Sequence, residues 1–278
     1  MALTLRQLQI IEYQLTDRDK EILKLLRDTK SMFTYHIRRL CFSDSVNEQA
    51  AARAANRNLK KLKDLGLIDA LVSRRIGGVR AGSASYIWYL TEQGNRLLDM
   101  DKKYDDEKKP KRTRFSEPAD STLGHRMAIV ECFVQLVEIT RKRKSFKLKE
   151  VFFEPSNWQY FTYKDKPEIL KPDLTISLSH HGYEYRFFIE MDLGTESIDT
   201  VISKCIRYHK YMKSGVEQDK HGVFPYVLWI VKDEKRQNKL ETAIKTHLKK
   251  HPNIFIVITA SELESIIIAR DIPEDRLC

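Results

Sequence analysis

The sequence predicts an α+β chain of mixed α/β character in two parts: a helical N-terminal half closed by a β-hairpin, and a C-terminal half in which strands and helices alternate. Three observations predict it. Apolar residues recur at helical spacing before residue 65, and two strand-like runs around a Gly- and Arg-rich turn follow. Beyond residue 121, helical and strand-like segments then take turns to the end.

The first predicted helix opens at Thr16-Asp17, either of which suits an N-cap, with acids in its first turn and Ile22, Leu23, Leu25 and Leu26 at helical spacing. A short second helix is expected over Thr34 to Cys41, with Ile37 and Leu40 facing inward. A third and longer one spans Val46 to Leu65 and stops at Gly66, a good residue to follow a helix end. Leu67–Val72 and Ser85–Leu90 then read as strands around the tip Ser73 to Gly82, and Leu90-Thr91-Glu92-Gln93-Gly94 opens a closing helix. The stretch Asp101 to Pro118 is densely charged, holds two prolines and has little aliphatic content, so it reads as a linker or exposed loop. The expected organisation is therefore 1–100, a linker over 101–120, and a second domain over 121–278.

That second domain opens with an amphipathic helix over Gly124 to Thr140. Strands are expected at Val151–Glu154, Asp173–Ser179 and Tyr183–Met191, the last two joined by a turn holding His180 and His181, both expected to be solvated. A helix over Ile198–Met212, a strand over Tyr226–Lys232, a helix over Glu234–His247, a strand over Ile254–Thr259 and a short helix over Ser261–Ala269 complete it.

Charge narrows the function classes. The net charge is +10, and residues 51 to 80 carry eight basic residues against two acids, more than half of that excess in one short stretch. A focused positive field favours polyanions, nucleic acid first and an anionic membrane surface second. The cysteines Cys41, Cys132, Cys205 and Cys278 are far apart and form no metal-ligand spacing, which argues for thiols in a reducing compartment and against a zinc finger. With no signal-peptide layout and no apolar run long enough to span a bilayer, the expectation is a cytoplasmic protein with no membrane partner.

On the third helix, Ala51, Ala55, Leu59 and Leu62 share one face, while Arg53, Asn56, Arg57 and Lys60 recur at i, i+3, i+4 and i+7 on another. Arginine can pair bidentately with guanine, asparagine with adenine, and lysine mainly contacts phosphate. A solvated basic face on an ordinary bundle helix would read the same way in isolation. The context, LKKLKDLGLI followed by a hairpin and YLTEQGNRLL, resembles the winged helix-turn-helix regulators over residues 15 to 100. That resemblance implies double-stranded DNA as partner, contacted by Arg53, Asn56, Arg57, Lys60 and Lys61 and by a wing tip carrying Arg74, Arg75 and Arg80. Such proteins pair half-sites, so a homodimer is expected.

In the second half, Pro172-Asp173 opens one strand and Glu190-Met191-Asp192 closes the next, a placement able to hold Mg²⁺ through oxygen ligands. With Lys204-x-x-x-Tyr208 on the following helix, this order resembles the PD-(D/E)XK nuclease fold. The resemblance implies Asp173, Glu190 and Lys204 as catalytic candidates and Glu131, Asp173, Glu190 and Asp192 as metal candidates. The usual lysine position is Asp192 here, and Lys204 is the residue that could reach back in its place. No cofactor is required by the sequence itself; Mg²⁺ enters only with this resemblance.

The whole arrangement, with Gly124-His125-Arg126, K-P-D, F-I-E-M-D-L-G-T-E and K-x-x-x-Y, resembles the replication-relaxation family of plasmid and mobile-element proteins. Three readings follow from the residues. The first is a sequence-selective DNA-binding protein acting in replication, relaxation or transcriptional regulation, with a non-catalytic nuclease-like domain. The second is a metal-dependent endonuclease or nickase targeted by the winged helix. The third is an adaptor for membrane surfaces or acidic proteins.

Overall fold

The computed structural model describes residues 3–71, 86–100, 120–248 and 254–269. By compactness the chain divides into Met1–Val134 and Gln135–Cys278, and the division falls inside one helix.

The first unit opens with α1 (Leu5–Tyr13), which the apolar spacing of the sequence did not single out, and α2 (Asp17–Thr29). Thr16 caps α2: its hydroxyl accepts from the Asp19 amide, while the Asp19 carboxylate accepts from the Thr16 amide. A two-residue strand β1 (Met32–Phe33) leads into α3 (Thr34–Cys41), and α4 (Glu48–Asp64) follows with Asn47 as its cap. Gly66, at φ +72°, ends α4 in a Schellman turn: its amide bonds the Lys63 carbonyl and the Leu67 amide bonds the Leu62 carbonyl.

Strand β2 (Ile68–Ala70) pairs antiparallel with β3 (Ile87–Leu90), and β1 adds to the other edge of β3, giving the order β1-β3-β2. Helix α5 (Glu92–Met100) closes the unit against α2. Its glycine is a packing necessity. A Cβ at Gly94 would lie 2.2 Å from the Leu67 carbonyl oxygen, the same carbonyl that accepts from the Thr91 amide and hydroxyl. Ile22, Leu23, Leu26, Ile37, Leu59, Leu62, Ile87 and Leu97 form the apolar interior. The first part of α6 (Asp120–Lys142), with Leu123, Met127 and Val130 buried on one stripe, belongs to this unit. Most of the 101–120 stretch and the hairpin tip lie outside the described residues.

The second unit is built on a five-stranded sheet in the order β10-β9-β8-β7-β4. Strands β4 (Phe146–Phe153), β7 (Leu174–His180) and β8 (Tyr183–Asp192) are antiparallel; β9 (Tyr226–Val231) and β10 (Phe255–Thr259) continue in parallel with β8. Parallel pairing demands a crossover, supplied by α7 (Ile198–Ser214) and α8 (Val216–His221) before β9 and by α9 (Glu234–His247) before β10. Helices α7 and α9 cover one face, where Val201, Cys205, Tyr208, Tyr211, Leu240 and Ile244 meet Phe188, Val227, Trp229 and Val257. A separate hairpin, β5 (Gln159–Tyr163) and β6 (Lys166–Leu170), packs on α7; the sequence pattern did not predict it, nor α8. The last elements among the described residues are a 3₁₀ turn (Ala260–Glu262) and α10 (Leu263–Ile268).

The expected turn after β7 is present, with His181 at φ +47° and Gly182 at φ +87°. His180, however, is not solvated. It is buried and stacked on Phe146 at 3.8 Å between ring centroids, because it ends β7 directly opposite that residue. Cys41, Cys132 and Cys205 are buried and form no disulfide. Among the described residues, no helix is long and apolar enough to cross a membrane.

Candidate nucleic-acid interface and carboxylate site

The two faces of α4 separate as its spacing dictates. Ala51, Ala55, Leu59 and Leu62 are buried, whereas Arg53, Asn56, Arg57 and Lys60 are all exposed. None of Arg53, Arg57 and Lys60 forms an ion pair among the described residues, so their charge faces outward uncommitted. Small alanines on the buried side let the helix lie close to its neighbours. Lys61 is different. Its ammonium bonds the Asp19 carboxylate at 2.7 Å and the Gln14 carbonyl at 3.2 Å, so it fastens α4 to α2. Asn58 adds a second tie to Asp19 at 3.0 Å. The sequence reading grouped Lys61 with the outward basic residues; the structure gives it a structural partner. Arg74, Arg75 and Arg80 lie outside the described residues.

Glu131, expected as a metal ligand, sits in the first unit. Its carboxylate accepts from Arg39 at 2.7 and 2.8 Å and faces His36 Nε2 at 3.1 Å. His36 Nδ1 accepts from the Phe33 amide, so the ring proton belongs on Nε2 and is donated to Glu131. Burial pushes His36 below its ordinary pKa despite the neighbouring carboxylate, which keeps the imidazole neutral. The cluster fixes α3 to α6.

In the second unit, β7 and β8 bring Asp173 and Glu190 together. The register Leu174↔Ile189 sets Asp173 opposite Glu190 one residue further on, and the Asp173 carboxylate accepts from the Met191 amide at 2.8 Å. Glu190 is 2% exposed and points to the face covered by α7. Tyr208 donates its hydroxyl to Glu190 Oε1 at 2.6 Å, and Lys204 Nζ lies 3.6 Å from Glu190 Oε2 and 3.1 Å from Glu196 Oε1. Lys204 and Tyr208 are four apart on one helix, so K-x-x-x-Y delivers both to the same carboxyl. Burial, reinforced by the Asp173 charge, pushes Glu190 up to about 8, so at neutral pH it is largely a neutral acid. Burial works against the charge of Lys204, but Glu190 and Glu196 outweigh it and hold its pKa above the ordinary lysine range.

Asp192 has another task. Its Oδ2 accepts from Arg236 Nε at 2.7 Å, its Oδ1 from the Gly194 amide at 2.7 Å, and Arg236 also donates to the Glu196 carbonyl at 2.8 Å. This buried pair locks the end of β8 to α9. Of the four metal candidates, Asp173 and Glu190 come together, while Glu131 and Asp192 are turned to other partners. Two carboxyls converge, one of them buried beneath a tyrosine hydroxyl and faced by an ammonium, while Glu131 and Asp192 are committed to arginines. Among the described residues no group of three His, Cys, Asp or Glu is arranged to hold a metal. Glu196, which closes the F-I-E-M-D-L-G-T-E motif, had no role in the sequence reading, and Arg236 did not enter it; the i, i+4 pair Lys204 and Tyr208 was visible, but not that both meet Glu190.

A family model described as replication-relaxation matches residues 23–227. No curated protein and no solved structure matches the chain.

Proposed function

Because the chain belongs to the replication-relaxation family, we propose that it binds double-stranded DNA sequence-selectively through α4, in the service of mobile-element replication or relaxation or of transcription at such a locus. The observation that carries this reading is the exposed stripe Arg53, Asn56, Arg57 and Lys60 on a helix whose other face is packed with alanine and leucine. In this reading the first unit is a winged helix-turn-helix. Helices α2 and α3 support α4, the β2–β3 connection is the wing, and Arg74, Arg75 and Arg80 reach the backbone or minor groove. Arg57 reads a base edge, flanked by Arg53 and Asn56, while Lys60 holds phosphate. A second copy brings a second half-site; the apolar side of α1, with Leu5, Ile10 and Tyr13 exposed, is the surface it would cover. The second unit serves as a nuclease-like scaffold whose carboxyl site is spent on Lys204 and Tyr208.

Footprinting on duplex from the gene's own neighbourhood tests the reading. A discrete protected window is expected, and Arg57→Ala should cost about 1–3 kcal/mol at that site. An unchanged site preference in that variant would remove α4 from the reading.

The convergence of Asp173, Glu190 and Lys204 favours one second reading, an endonuclease with the same targeting helix. Nicking of the footprinted duplex in Mg²⁺ or Mn²⁺, abolished by Asp173→Ala, would establish it over the scaffold.

A further inference from the structure

Helix α9 repeats the spacing of the exposed stripe on α4. Lys235, Asn238, Lys239 and Thr242 recur at i, i+3, i+4 and i+7, Lys245 and Thr246 extend the row by one turn, and all six are exposed. The opposite face of the helix is fixed. Leu240 and Ile244 are buried in the core, Arg236 is bonded to Asp192, and Gln237 donates to the Val257 carbonyl at 3.0 Å. The helical period sets Glu234 and Glu241 to one side of the row, and Glu241 is half-buried. Among the described residues, none of the three lysines forms an ion pair.

Helix stability does not explain this row. Lys235 stands in the first turn, where the helix dipole disfavours a cation, and Lys235 and Lys239 are like charges one turn apart. A partner with closely spaced negative charge would offset both effects. The row holds no apolar or aromatic side chain, so it has nothing to insert among lipid tails or to stack on an unpaired base. Its ammonium, amide and hydroxyl groups are donors that meet phosphate oxygens. From Lys235 to Lys245 the helix rises about 15 Å, a length along which a duplex carries about nine phosphate charges. We infer that the outer face of α9 holds the sugar-phosphate backbone of duplex DNA, with Lys235 and Lys239 as the main contacts and no preference for sequence. This contact lies in the second unit and does not depend on α4 reading a base.

The test uses the full chain and a fluorescein-labelled duplex of arbitrary sequence, followed by anisotropy over a salt series. Lys235→Gln with Lys239→Gln should weaken binding about tenfold at low salt and lower the slope of log K against log salt by about two. The same loss is expected on a footprinted site, so the ratio between that site and arbitrary duplex stays as in the parent. Arg57→Ala should lower that ratio instead, so this inference and the α4 reading fail separately. Lys147→Gln with Lys149→Gln removes equal charge from exposed positions on β4 and should leave the slope unchanged. All four lysines are exposed, so both double variants should keep the parent melting temperature. Absence of duplex binding by the parent at low salt, an unchanged slope in the α9 pair, or an equal fall in the β4 pair would overturn the inference. An α9 pair that binds duplex like the parent but no longer pellets with phosphatidylserine vesicles would assign the face to a membrane in its place.

Discussion

The ammonium of Lys61 lies 2.7 Å from the carboxylate of Asp19, a fully buried acid at the start of α2, while the adjacent Lys60 faces solvent. One step along α4 thus separates a lysine that holds the fold from one that is offered outward. Burial alone would raise the Asp19 pKa, but hydrogen bonds from Lys61 and Thr16 outweigh it and hold the carboxyl below the ordinary range.

Lys61→Met and Lys60→Met should therefore behave oppositely. The first leaves a buried carboxylate short of a partner and should cost about 1–3 kcal/mol by urea denaturation. The second should stay within about 0.5 kcal/mol of the parent and instead lower the salt slope of DNA binding by about one. Because the folded-state pKa of Asp19 is depressed, its contribution is present at neutral pH and is lost only as pH falls below the carboxylate range. Asp19→Asn should therefore be less stable than the parent at pH 7, with the gap closing as pH falls through the carboxylate range; a gap that stays constant with pH would contradict the depressed carboxyl.

Glu190 has the reverse sign. Its folded pKa is raised to about 8, so the stability it contributes is full below its ordinary value near 4.5 and is lost as pH rises through about 8. Glu190→Gln keeps the hydrogen-bonding shape without a titrating proton. Its melting temperature should match the parent at pH 5 and exceed it at pH 9; a parent curve with no decline over that range would contradict the buried neutral acid.

The two glycines of the helical segments make a steric contrast. Gly94→Ala forces a methyl against the Leu67 carbonyl and should destabilise by about 1–3 kcal/mol. Gly124, in α6, has open space where a Cβ would go, and Gly124→Ala should stabilise by about 0.5–1 kcal/mol. Calorimetry on both variants reads the difference directly.

Arg236→Ala should cost about 3–5 kcal/mol, since it strands the Asp192 carboxylate in the interior. Any loss of function in Asp192 or Arg236 variants should accordingly track thermal unfolding, measured by circular dichroism, rather than appear in a folded protein.

The regular elements were legible where period and punctuation agreed. Helix α3 and helix α9 fall on their expected residues, and the two faces of α4 could be read from spacing alone, since burial follows the 3.6-residue period. Helix α1 escaped because its apolar residues Leu5, Ile10 and Tyr13 lie outside the buried stripe and only Leu8 is buried. The β5–β6 hairpin escaped because its turn is Lys164-Asp165, both at positive φ, without the glycine that usually marks one. The approach of Asp173 to Glu190 was foreseeable from strand order. Which cation each carboxylate meets was not, since Arg39 with Glu131 and Arg236 with Asp192 are pairings that only the fold brings within reach.

The anchoring of α4 at its far end has an evolutionary consequence. Thr91 donates its hydroxyl to the Gly66 and Leu67 carbonyls, the Leu71 amide donates to the Ile87 carbonyl, and the Thr34 amide donates to the Tyr86 carbonyl. The footing of α4 thus rests on bonds made among residues 34, 66, 67, 71, 86, 87 and 91, so substitutions confined to 72–85 should leave the melting temperature of the first unit unchanged, and that part of the sequence is free to vary without a compensating change in the core.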